Sequence, residues 1–168
     1  MIIVLVLVAA VAAYLAVTRF TDRSAPSEAE VMAAFVPVAD LTYSELPPNT
    51  MTALESAFTR QAGTDAVAHL EARQLTQEGR PVAVVFILSI DPDEMEGEFE
   101  TEYVSGFTTT SQTTLEDFQI GDTTGHIGNT PLGTVAFFFD GDGFAFNIVG
   151  RDDQTVRGIA QTLQAGNS

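Results

Sequence analysis

Residues Ile2 to Val17 form an unbroken run of Ile, Val, Leu, Ala and a single Tyr. With Met1 and Thr18 the run would make a helix about 27 Å long at ~1.5 Å per residue, close to the hydrocarbon thickness of a bilayer. No polar residue interrupts it to mark a solvent face, so a helix packed into a soluble core is the poorer account. A cleaved signal peptide needs a basic start and a small-x-small cleavage site. Only the α-amino group precedes Ile2 as a base, and Pro26 breaks the small-residue stretch at Ser24 and Ala25. No cysteine is available for a lipid anchor. The expectation is an uncleaved single-pass anchor over residues 1–18, held in the cell membrane through residues 2–17. Arg19 and Arg23 would keep the C-terminal flank in the cytoplasm, but by a margin of only about one charge. N-terminal hydrophobic segments more often export the domain behind them, and this domain is expected outside the cytoplasm.

After Arg23 come 145 residues, room for one domain. Residues 19–30 have no apolar periodicity and are expected to form a flexible linker, with residues 31–168 as a single acidic domain. The seven basic residues are all arginine and stand against 23 acids, a formal charge of -16 that makes nucleic acid a poor partner. The absence of cysteine excludes disulfides, thiol nucleophiles, iron–sulfur clusters and thiolate zinc sites. A composition 45% hydrophobic and 18% charged belongs to a folded chain rather than a disordered one.

Within the domain, Ser27 with Glu30 can cap a short helix that places Val31, Ala34 and Phe35 on one face and stops at Pro37. Leu41 and Tyr43 suggest a short extended stretch, and Pro47-Pro48-Asn49 a turn. Thr52 and Glu55 form a second capping pair, predicting a helix over 52–61 with Leu54, Ala57 and Phe58 on one stripe. Residues 66–76 and 81–90 flank Gln77-Glu78-Gly79-Arg80 as a hairpin. The stretch Val82 to Leu88 is apolar on both alternating faces, so it belongs at the centre of a sheet covered on both sides, or beside a ligand or partner.

From Asp93 to Phe107, Met95, Phe99, Tyr103 and Phe107 recur every four residues and predict a helix with an aromatic stripe. Thr108 to Thr114 is a polar stretch, Phe118 and Ile120 alternate as a strand, and Gly121 to Pro131 has the glycine content of turns. Residues 135–140 and 143–149 form the clearest hairpin, turned by Asp140-Gly141-Asp142-Gly143. Asp152 or Asp153 can cap a last helix with Val156, Ile159, Ala160 and Leu163 on one side and Gly166 at its end. The resulting order, α-β-β-α-β-β-β-α, predicts an α+β fold: a mostly antiparallel sheet of about five strands with helices packed on one face.

Candidate sites are suggested by residue type. Seven carboxylates fall between Asp91 and Glu102, and Glu94, Glu98 and Glu102 would share a helical face at repulsive spacing that a cation could relieve. A convex helix presents such groups as a row, whereas calcium sites wrap oxygen ligands around the ion, so a solvated acidic face is the simpler account. Asp140, Asp142 and Gly143 match part of a calcium loop but lack its third acid and its bidentate glutamate; an Asp-Gly turn explains them without a metal. His69 and His126 are the two imidazoles, neither in a metal or nucleophile motif. Glycines 121, 125 and 128 lack the context of a phosphate-binding loop. The aromatic pattern says more: Phe137 and Phe139 face one side of their strand and Phe138 the other. If helices cover one sheet face only, Phe138 and the Val82 to Leu88 strand, Phe86 included, would leave an apolar patch for a partner or ligand.

The leading expectation is therefore a non-enzymatic, membrane-tethered envelope domain that binds a protein partner, a second copy of itself or a small apolar ligand, with Phe86 and Phe138 as candidate contacts. A second possibility is a hydrolase using His126 with Asp117 or Asp122. A third is cation binding by the acidic helix or by Asp140 and Asp142. No motif calls for a cofactor.

Overall fold

A computed structural model describes residues 24–52, 67–91, 99–131 and 133–168. The anchor segment, the residues 53–61 of the expected second helix, Met95, Glu94 and Glu98 lie outside these. Among the described residues no helix is long and apolar enough to cross a membrane.

The strand Val82 to Leu88 sits, as its two apolar faces require, at the centre of the architecture. It belongs to β3 (Arg80–Ile90), which pairs with β2 (Val67–Gln77) on one side and β7 (Phe144–Gly150) on the other. With β1 (Thr42–Glu45), β4 (Glu116–Ile120), β5 (Thr123–Thr130) and β6 (Gly133–Phe139), it completes a seven-stranded sheet of order β1-β2-β3-β7-β6-β5-β4, in which neighbouring strands run antiparallel. Glu78 and Gly79 turn the β2–β3 hairpin with positive φ. Both hairpins expected from turn chemistry are present, and the fold is α+β with a mostly antiparallel sheet.

Two expectations change. The sheet has two more strands than the five anticipated: the short extended stretch near Tyr43 is paired as β1, and the glycine-rich segment after Ile120 is not a turn region but β5. Gly125 explains the second case. It lies between Phe118 of β4 and Phe138 of β6 in one cross-strand row, and a Cβ there would stand 2.8 Å from the Phe118 ring and 2.6 Å from the Ile120 methyl. The glycine makes space for two large side chains; it does not mark a turn.

The layers differ as well, because helices cover both faces of the sheet rather than one. On one face, α1 (Glu28–Ala33) and α3 (Asp153–Gly166) close a core of Val31, Leu75, Val85, Ile87, Phe138, Phe146, Ile159 and Leu163. On the other, α2 (Phe99–Ser111) lays Tyr103 and Phe107 over Phe86, Leu88, Phe137 and Val149. Residues 48–52 are helical beside the same face, with Leu46 and Met51 packed into it. A strand apolar on both sides exposes too much surface unless both sides are roofed, and this requirement overrides the one-sided layout inferred from element order.

Local signals hold the helices in place. Ser27 and Glu30 form a reciprocal capping box on α1, and the Asp152 carboxylate caps α3 by accepting from the Thr155 N–H at 2.9 Å. The polar stretch after Thr108 continues α2 as far as Ser111, and Gln112 ends it with φ 52°. Residues assigned to the linker also take part in the fold. Pro26 is buried, and its carbonyl accepts from the hydroxyl of the fully buried Ser89.

Candidate functional site

One row of residues crosses the sheet beneath α2. Asp117 of β4, His126 of β5, Phe137 of β6, Asn147 of β7 and Phe86 of β3 are successive cross-strand partners. Strand pairing therefore brings Asp117 to His126, nine positions away in the chain, and Asp117 Oδ1 lies 2.8 Å from Nδ1 of the imidazole. From α2, Glu100 reaches the other side of the ring, with Oε1 3.0 Å from Nε2. The His126 side chain is 11% exposed, while those of Glu100 and Asp117 are 51% and 75% exposed. A nearly enclosed ring thus stands between two carboxylates that face water. Phe137 packs against it at 5.3 Å between centroids.

Of the residues anticipated for a hydrolase, the structure joins His126 with Asp117 and leaves Asp122 exposed in the β4–β5 turn. Glu100 was the missed partner. It looked like one more member of the acidic stretch, and only the packing of α2 across β5 singles it out. The two ring contacts are both carboxylates, so the nitrogen that would activate a nucleophile in a hydrolase already faces Glu100. The two acids lie on opposite sides of the imidazole, an arrangement that does not converge on one ion, and no metal-competent group of acids and histidines occurs among the described residues.

Further along the row, the Tyr103 hydroxyl donates to Asn147 Oδ1 at 2.6 Å. Burial pushes the Tyr103 phenol well above its ordinary value, against the Asn147 hydrogen bond that lowers it. Among the described residues, Asn147 Nδ2 is buried with no partner, as is the Tyr43 hydroxyl elsewhere.

The anticipated ligand contacts lie in opposite cores. Phe86 is 2% exposed beneath α2, and Phe138 is 1% exposed beneath α3, stacked on Phe146 at 4.6 Å. The open apolar patch expected around them is roofed. Asp140 organises the β6–β7 turn through its Oδ1, which accepts from the N–H groups of Phe144 at 2.8 Å and Asp142 at 3.2 Å. Burial raises its carboxyl to about 6 despite those bonds. Asp142 is exposed beside it, and Glu102 is half-buried on α2.

A feature that no sequence signal marked lies on the far side of the sheet. The stretch of α3 from Gln154 to Thr162, the loop from Val38 to Leu41 and the end of the β2–β3 hairpin border an open cleft of about 370 Å³. Val38, Leu41, Val82 and Ile159 supply apolar lining; Gln77, Gln154, Thr155 and Thr162 supply amides and hydroxyls; Asp40 supplies the one charge among the lining residues. Gly158 leaves the α3 wall bare, because a Cβ there would meet no atom within 4 Å. Comparison with protein-family models, with curated proteins and with solved structures finds no match for this chain.

Proposed function

We propose that this chain is a membrane-tethered, non-enzymatic domain that binds a small ligand with an apolar body and a neutral or cationic head. The cleft beside α3 carries this reading. Its volume is in the range of small-ligand sites, ~300–1,000 Å³, and its lining is shared between apolar side chains and polar groups able to orient an occupant. Among the described residues no base lines it and Asp40 does, and the whole chain carries -16, so an anionic occupant would meet repulsion. The tether rests on the apolar run from Ile2 to Val17. The occupant can be a free molecule or a partner's side chain of the same chemistry.

Benzylamine, benzyl alcohol and benzoate share a shape and differ in charge, which makes them suitable probes. The amine and the alcohol should perturb the amide resonances of Asp40, Gln77 and Thr162, and benzoate should not. Gly158→Leu should abolish those shifts by filling the cleft, and should stabilise α3 by up to about 1 kcal/mol through helix propensity. Shifts elsewhere, or shifts that survive Gly158→Leu, would reject the cleft.

The hydrolase alternative rests on the 2.8 Å contact of Asp117 with His126. It requires Glu100 to leave Nε2 so that a hydroxyl or water can enter. Glu100→Ala should then raise turnover of a p-nitrophenyl ester above that of the His126→Ala variant, whereas equal background rates in the two variants would reject it.

A further inference from the structure

His126 makes two contacts that its neutral ring cannot make together. A carboxylate only accepts hydrogen bonds, and a neutral imidazole has one N–H and one lone pair. Asp117 at 2.8 Å from Nδ1 and Glu100 at 3.0 Å from Nε2 are both hydrogen bonds only when both nitrogens carry protons. We propose that His126 is a proton-operated latch that holds the first turns of α2 onto the β4 edge of the sheet. In the latched state the imidazolium bridges the two carboxylates and offsets their mutual repulsion. When the ring loses one proton, one nitrogen turns its lone pair toward a carboxylate, and that contact becomes repulsive.

The geometry selects the contact that opens. Asp117 is the direct cross-strand partner of His126 and is fixed beside it by the β4–β5 ladder. Among the described residues, what holds Glu100 there is its place in the first turn of α2, and its contact is the longer one. The remaining proton stays on Nδ1 toward Asp117, and the Glu100 contact releases. Among the described residues, Glu100 from α2 and Asp117 from β4 are the titratable groups against the ring; β6 presents Phe137, which does not titrate. Tyr103, the next titratable group on this side of α2, donates to Asn147. Because the latched state holds the additional proton, mass action favours it on the acid side and releases it on the alkaline side. Both carboxylates face water, so added salt weakens the effect.

The test uses the full chain in detergent micelles, stepped from pH 5.5 to 8.5, the span in which histidines ordinarily change charge. Amide hydrogen exchange, corrected for its intrinsic pH dependence, should show residues 100–107 losing about fivefold in protection as pH rises, the scale of one exposed ion pair. Residues 153–166 of α3 should stay constant. Glu100→Gln should keep α2 protected at pH 8.5, since its amide can donate to the lone pair of a neutral ring, and His126→Gln should remove the pH dependence. If either variant fails to fold, nitrogen-detected spectra of the wild-type imidazole serve instead: the loss of its second proton should coincide with the loss of α2 protection. Protection that does not vary with pH, a wild-type pH profile in Glu100→Gln, or ring and helix transitions at different pH would each overturn the latch.

Discussion

Phe86 lies in the β3 strand with a Tyr103 and Phe107 roof above it and is 2% exposed, so its removal would leave a cavity that neither a strand ladder nor a packed helix can collapse to fill. Phe86→Ala should cost about 3–5 kcal/mol in a urea titration of the full chain. A loss below about 1 kcal/mol would mean the ring is not enclosed. Asp140 offers a residue-scale test of opposite sign. Its carboxyl titrates near 6 in the folded protein because it is half-buried, whereas an unfolded aspartate titrates near ~3.9. Between those values the folded state binds more protons, so this group's contribution to stability falls as pH rises from about 4 to about 7. Asp140→Asn keeps an oxygen for the Phe144 N–H and removes the charge. It should flatten that slope and stabilise the domain at pH 7 by at most about 1 kcal/mol, discounted for the solvent that still reaches the group. A steeper slope in the variant would show that the backbone donors, not desolvation, dominate this turn.

At the scale of elements, legibility depended on whether a residue's reason for being there was local. The α3 helix was legible because its cap Asp152 and its buried stripe Val156, Ile159, Ala160 and Leu163 lie within one short segment. The β2–β3 hairpin was legible because Gly79 supplies a positive φ just before the apolar run of β3. Strand β5 was not, since Gly125 owes its identity to the Phe118 ring of the neighbouring strand, and from sequence it looks like a turn residue. The same distinction separates the partners of His126: Asp117 is near in sequence, while Glu100 arrives from a helix whose docking depends on tertiary packing. The cleft beside α3 had no signal at all, because it is space left between three segments. Helix caps can be tested directly. Asp152→Ala removes an acceptor used by both the Thr155 N–H and its hydroxyl, and should cost about 1 kcal/mol in thermal unfolding, with an unchanged stability pointing to α3 being held by packing alone.

For the molecule as a whole, the boundary of the folded unit and its charge are linked. A fragment beginning at Ser24 retains Pro26, whose carbonyl satisfies the buried Ser89 hydroxyl, whereas one beginning at Ser27 leaves that hydroxyl without its acceptor at a cost of about 1–3 kcal/mol. The fragment 24–168 should therefore melt cooperatively at a higher temperature than 27–168, and aggregation of both would show that the N-terminal segment belongs to the core. Either fragment carries 22 acids against 5 arginines, a formal -17, with little to balance it. Self-repulsion of that size should make stability rise with salt as the Debye length shrinks from ~30 Å at 0.01 M to ~3 Å at 1 M. Sodium and potassium chloride should act almost equally, because the effect is diffuse screening. Calcium should add no saturable increment at constant ionic strength: Asp140 spends its Oδ1 on two backbone N–H groups, and Glu100 faces His126 rather than its acidic neighbours. Melts in stepped sodium chloride, each repeated with calcium or chelator, distinguish the cases. A saturable calcium shift of several degrees would mean that carboxylates converge on an ion, and would restore cation binding as a function of this acidic surface.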